Sequence, residues 1–260
     1  MGYFFDAETG GPVRLELRSI DGHDFQVLRR IGYFSDAYGR TFEAPADLDG
    51  FRTDMASVPS VFTWLVPRSG PFLPAAVLHD ALTGTPTVAP DGTTIPPYRG
   101  PAIDRVEADR VFRLAMRDLG VGRLRQWLMW AAVTLPTLWF FPTRRWWHRI
   151  QVLGTLMIIS VLGILATLDL FDAMNLLPWM GNRPWWQEVI GGALFAVLIP
   201  GAIGLVWGRL RLAGMIVGWS LAFLLHVTIG VALVYGLYLV CERFLSGPAD
   251  RRGVHWRLRT

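Results

Sequence analysis

Three stretches of this 260-residue chain carry no charge at all: 150–168, 189–207 and 212–240. A helix needs about 20 predominantly apolar residues to cross the hydrocarbon core of a bilayer, and the first two stretches come close to that length. The third, at 29 residues, would extend roughly 43 Å as a helix, enough for one tilted or protruding span and too short for two. Between 150 and 241 only Asp169, Asp172, Arg183, Glu188, Arg209 and Arg211 are charged, whereas residues 1–149 hold 17 Arg against 16 Asp or Glu. The chain therefore divides into a charge-balanced soluble part and a membrane part with three spans. A single soluble globule is excluded by that division. Disorder is excluded by 52% hydrophobic and 13% aromatic content, which supplies enough apolar surface to offset chain entropy.

Charge placement predicts orientation. Five Arg between Arg123 and Arg149, with Arg209 and Arg211, mark the cytoplasmic side, and the 169–188 connection with its single Arg goes outside. Three spans then put Arg243, Arg251, Arg252, Arg257 and Arg259 outside, against the usual bias, so the side of the tail stays open. The N-terminus has neither a basic n-region nor a long apolar h-region, which predicts that residues 1–125 stay in the cytoplasm of a bacterial cell, on the inner membrane. All 25 basic residues are Arg, but no basic run precedes Arg144, so nucleic-acid binding is not expected. The lone Cys241 rules out intramolecular disulfides and cysteine-based zinc sites.

The soluble part reads as α+β. Val13–Leu17 alternates apolar and charged residues, and Phe25–Leu28 and Ile31–Phe34 look like further short strands, with Asp21-Gly22 and Tyr38-Gly39 as turns. Pro74 opens a helix carrying Ala75, Ala76, Leu78 and Leu82 on one face. The stretch 83–101, with five Pro and three Gly, reads as a long loop, a lid or an insertion. A second helix starts after Asp104, which with Glu107 forms a capping-box pattern, and ends at Gly120. The apolar run 127–141, about 15 residues broken by Pro136 and flanked by Arg and Trp, is short for a span. It suits either an interfacial helix or the edge of the soluble core. The expected organisation is thus a small N-terminal sheet with two or three helices (1–125), an interfacial Trp/Arg-rich helix and linker (126–149), a membrane domain (150–245) and an Arg-rich tail (246–260).

Four residues stand out as chemistry-bearing: Asp54, His79, Asp80 and Asp109. Carboxylates with an imidazole suit one divalent ion (Zn, Mn or Fe), and an open position on it could activate water. His79 and Asp80 are adjacent on a helix and so do not share a face. Asp54 and Asp109 would have to converge on one of them, with Asp54, His79 and Asp109 as catalytic residues and Asp80 as a further ligand or support. The same residues admit a structural account: Thr53, Asp54 and Ser57 as a turn or cap group, and His79 as a buried imidazole bonded to Asp109 or Asp54. Ser57 as a nucleophile is disfavoured because no glycine-flanked elbow exposes it. His23-Asp24 does not complete a two-pair His-Asp hydrolase, because His23 lies in a predicted β-turn rather than a helix and residues 1–125 hold no third histidine. In the membrane part, His226 is either a functional intramembrane group or a neutral histidine bonded to a neighbouring helix. Gly214 and Gly218 form a small-residue face suited to close helix packing or to oligomerisation.

The order of three segments is informative: Thr53-Asp54-Met55-Ala56-Ser57-Val58-Pro59, then Ala75-Ala76-Val77-Leu78-His79-Asp80, then Glu107-Ala108-Asp109 ahead of Phe112 and Ala115-Met116. Over roughly residues 10–135 this set resembles the DUF1353 family, small bacterial and phage-encoded domains of unknown function. The resemblance implies a phage-related or horizontally exchanged origin for the soluble part. Here His79-Asp80 is followed by Ala81-Leu82-Thr83 rather than the larger residues common in the family, and the 83–101 loop is long. Three functions follow as expectations. The first is an interaction or assembly module at the inner face of the membrane, contacting lipid and a membrane-protein partner or further copies of itself. The second is a metal-dependent hydrolase at Asp54, His79 and Asp109. The third is a membrane-permeabilising effector.

Overall fold

The computed structural model describes residues 1–21, 24–54, 65–67, 69–88, 91–140 and 145–245. Ser57 and His23, together with the tail from 246 onward, lie outside the described residues. The order of elements is α+β followed by long apolar helices, as the charge pattern requires.

Strands β1 (Tyr3–Asp6), β4 (Ile31–Ser35) and β5 (Arg40–Ala44) form one antiparallel sheet in the order β1-β4-β5. Strands β2 (Leu17–Ser19), β3 (Phe25–Val27) and β6 (Arg52–Thr53) form a second. In β5 the exposed Arg40 and Thr41 precede buried Phe42 and Ala44, the period-2 pattern of a half-buried strand. The alternation at Val13–Leu17 produces a strand only from Leu17. Val13 and Leu15 pack against Val27, Ile31 and Val77, so their spacing reflects burial and not membership of a ladder.

Helix α1 (Leu73–Thr83) has Pro74 in its first turn and buries seven of its eleven residues, six of them apolar and the seventh His79. The 83–101 stretch contains a miniature hairpin, β7 (Thr87–Val88) and β8 (Thr94–Ile95), turned by Asp91 and Gly92, whose φ of +82° favours glycine. Its return is tied to β5 by paired Glu43–Arg99 backbone hydrogen bonds of 2.8 Å, so the segment is anchored at that end. Helix α2 (Arg105–Asp118) carries the predicted capping box: Glu107 N–H donates to Asp104 Oδ1 at 2.7 Å and Asp104 N–H donates to Glu107 Oε2 at 3.4 Å. It stops where Gly120 turns the chain at a φ of +72°. Tyr33, Phe42, Phe72, Leu78, Val111, Phe112 and Met116 form the centre of the soluble core.

Helix α3 (Arg123–Trp139) joins the two parts. Met129 and Val133 belong to the soluble core, while Trp130 and Ala131 pack on Ala213 and Val217, and Leu138 on Val152 and Trp207. One side of α3 therefore closes the domain, as the core reading of this run expects, and the other seats on the long helices.

Those helices are α4 (Arg145–Leu170), α5 (Trp185–Leu205) and α6 (Arg211–Leu245), with a single 3-10 turn at Gly208–Leu210 between the last two. All three are long and apolar enough to cross a membrane, with mean hydropathy of 2.2, 1.9 and 2.1 over their most apolar windows. Trp219 Nε1 donates to Val197 O at 2.9 Å and the buried Trp207 Nε1 to Thr155 Oγ1 at 3.1 Å, so both indole N–H groups find acceptors on neighbouring helices. The small-residue face is occupied within the chain: Gly214 lies under the Trp207 ring and Gly218 against Pro200.

Candidate functional site

Of the four polar residues that the sequence singled out, the fold pairs His79 with Asp109, gives Asp80 a different partner, Thr53, and leaves Asp54 outside both pairs. On one side, His79 Nε2 lies 2.8 Å from Asp109 Oδ1, linking α1 to α2. The imidazole ring also packs on Phe112, with 4.9 Å between centroids, and both partners of the pair are buried. Oδ2 of Asp109 is buried with no hydrogen-bond partner among the described residues.

On the other side, the Thr53 hydroxyl donates to Asp80 Oδ2 at 2.5 Å, joining the end of β6 to α1. Adjacent residues on a helix point about 100° apart, which is why His79 and Asp80 serve different neighbours. Asp80 lines a cavity of about 280 Å³ together with Asp47, Arg52, Thr85 and Thr87, so its carboxyl sits at a polar opening beside the hairpin segment. Burial pushes the Asp80 carboxyl up to about 6; the Thr53 hydrogen bond and the His79 charge pull the other way, and the nearby Asp54 charge adds to the rise.

Asp54 itself is exposed at the end of β6. Among the described residues no three His, Cys, Asp or Glu side chains come together closely enough to hold a metal ion. The arrangement thus provides a buried imidazole–carboxylate pair and, separately, a carboxyl pushed up to about 6 that lines a polar cavity. Thr53, read from sequence only as part of a turn, proves to be the partner of Asp80. The pairing joins residues 27 apart, and no local pattern announces it.

The three long apolar helices and their connections hold polar groups that sequence reading missed. Asp169 is fully buried at the end of α4 and accepts backbone N–H groups of Leu176 at 3.1 Å, Leu177 at 2.9 Å and Gly181 at 2.9 Å. The available signal was its position at the edge of a charge-free run, next to a loop rich in turn residues. Thr167 is the partner of His226: its hydroxyl donates to Gly163 O at 2.7 Å, so the imidazole Nε2–H donates to Thr167 Oγ1. His226 therefore bonds a neighbouring helix.

These features define a class: a small α+β domain seated, through a shared helix, on three helices able to span a membrane. Residues 25–133 match the sequence model of a family described as "Protein of unknown function (DUF1353)". The match covers the domain from β3 onward and most of α3; β1 and β2 lie before it, and α4, α5 and α6 lie beyond it. No curated protein and no solved structure matches the chain.

Proposed function

We propose that this chain is a membrane-seated interaction module, its soluble domain held at the cytoplasmic face of a bacterial inner membrane to engage a membrane-protein partner or further copies of the chain. One observation carries the reading: α3 buries one face in the soluble core and the other against α4 and α6. A domain attached in this way has its orientation to the long helices set by packing. The spans thus position the domain as well as anchor it.

The lone Cys241 near the end of α6 is exposed and gives a direct test of topology. With three spans it lies on the opposite side from the domain. An impermeant maleimide should label it in intact spheroplasts, while a cysteine at Thr9 in a Cys241→Ser background should react only after permeabilisation. Protection of Cys241 would overturn the orientation. Crosslinking in native membranes should trap the chain in a larger species that is lost when Ala131→Arg and Ala213→Arg disrupt the seat. A chain that stays monomeric and unlinked would overturn the module reading, and ion leakage from proteoliposomes would point to a permeabilising role.

A second reading rests on Oδ2 of Asp109, a buried carboxylate oxygen beside His79 without a donor among the described residues. Such an oxygen can accept a cation. In that reading Asp54, His79 and Asp109, with Asp80 in support, hold a Zn, Mn or Fe ion that activates water. It requires the segment bearing Asp54 to close toward His79. Elemental analysis of the full-length protein beside Asp109→Asn tests it: near-stoichiometric metal, lost in a variant that still folds, supports a hydrolase, and metal-free protein from metal-replete medium overturns it.

A further inference from the structure

The membrane helices are not packed solid. Between α4, α5 and α6, on the side of the α4–α5 connection, lies a cavity of about 450 Å³. Its walls include Ile159, Phe171, Leu177, Met180, Ala196 and Phe223, and the polar residues among its lining are Thr167, Glu188 and His226. That volume falls in the ordinary range of ligand sites.

Each polar group is already engaged within the protein. His226 Nε2–H donates to Thr167 Oγ1, the Thr167 hydroxyl donates to Gly163 O, and Glu188 Oε1 accepts Arg183 N–H at 3.2 Å. The walls therefore have little need of water or an ion, and an apolar occupant fits them best. The cavity also has a built roof. The connection after α4 folds inward so that Leu177 and Met180 are buried and the Trp179 ring stacks on Phe195 at 4.3 Å between centroids. The three backbone N–H groups converging on Asp169 hold that fold in place.

Length and level identify the occupant. From Ile159 to Phe171 along α4 the cavity runs about 18 Å at 1.5 Å per residue, close to one leaflet of a hydrocarbon core about 30 Å thick. The exposed Trp185 and Trp186 at the start of α5 mark the headgroup level at its roofed end. Val189, Phe223 and His226, on α5 and α6, line it and are exposed, so the opening faces the bilayer laterally. We propose that the cavity is a lipid site that takes one acyl chain of a phospholipid from the leaflet on the side of the α4–α5 connection. The inference rests on α4, α5 and α6 lying in a bilayer.

The test uses the full chain in proteoliposomes of phosphatidylglycerol and phosphatidylethanolamine doped with a phospholipid bearing a diazirine along its acyl chain. Photolysis, digestion and mass spectrometry should concentrate adducts on 192–200 of α5 and around Phe223. Ala196→Trp, which fills the cavity, should lower those adducts at least tenfold and leave labelling of the outward stretch 233–240 of α6 unchanged. Ala166→Phe on the opposite wall should do the same, which keeps the test intact if one variant fails to fold. Adducts spread evenly over the outward faces, or cavity labelling unmoved by both substitutions, would overturn the site. Failure of the chain to resist carbonate extraction from membranes would instead overturn the membrane reading beneath it, so the two failures are distinguishable.

Discussion

His79 on α1 and Asp109 on α2, thirty residues apart, meet with 2.8 Å between Nε2 and Oδ1, and this bond is the polar tie between two helices that otherwise touch through apolar side chains. Removing the imidazole leaves the Asp109 carboxylate buried with neither oxygen paired. His79→Ala should destabilise the soluble domain by about 1–3 kcal/mol. His79→Gln, which can still donate to Asp109, should recover part of the loss. Thermal melts of the full chain in detergent check both, and equal melting of the two variants would mean that the bond contributes little.

The Asp80 carboxyl gives a pH signature. An unfolded aspartate titrates near 3.9, whereas in the fold burial raises this one to about 6. Between those values the folded state holds the proton more tightly. Its contribution therefore favours folding below about pH 4 and declines as pH rises to about 6, then levels. The full swing is about 1–3 kcal/mol for a partly buried group. Asp80→Asn keeps an acceptor for the Thr53 hydroxyl and removes the titration. It should melt close to wild type at pH 4 and several degrees higher at pH 7.5. A difference independent of pH would contradict the assignment.

Asp169 organises the α4–α5 connection through three backbone donors. Asp169→Ala should release that connection without unfolding the soluble domain. Phe171 and Leu176 lie exposed within it, so chymotrypsin added to detergent-solubilised protein should cut there at least tenfold faster in the variant. Unchanged cleavage would show that the roof is held by its apolar residues alone.

The α5–α6 contact depends on glycine. A Cβ at Gly204 would sit 2.6 Å from the backbone nitrogen of Met215, and one at Gly218 would sit 2.7 Å from Pro200 Cβ. Gly204→Leu should force the helices apart and lower the melting temperature more than Gly230→Leu, where a Cβ meets open space. Equal effects would remove close packing as the reason for glycine at 204.

What could be read from the sequence alone was whatever rests on local chemistry. Charge-free length defined the three long helices, because a bilayer admits no unpaired charge and needs a set number of turns. The capping box at Asp104 and Glu107, Pro74 at a helix start and Gly120 at a helix end were legible because each satisfies a backbone group within a few residues. The residues of the candidate site were legible as types, His79 and the three aspartates; the His79–Asp109 pairing was legible only as one of two alternatives, and the Thr53–Asp80 pairing was not.

Tertiary structure decided that His79 serves Asp109 while its neighbour Asp80 serves Thr53, because the rotation of α1 between its neighbours is set by core packing. It decided that Val13 and Leu15 pack on the core, partly buried, outside the strands and that α3 packs against two clusters at once. It also decided that Asp169 turns inward to collect three amide donors. In each case the deciding contact joins segments distant in sequence. Composition and spacing report which surface a residue must bury and leave open the surface it is buried against.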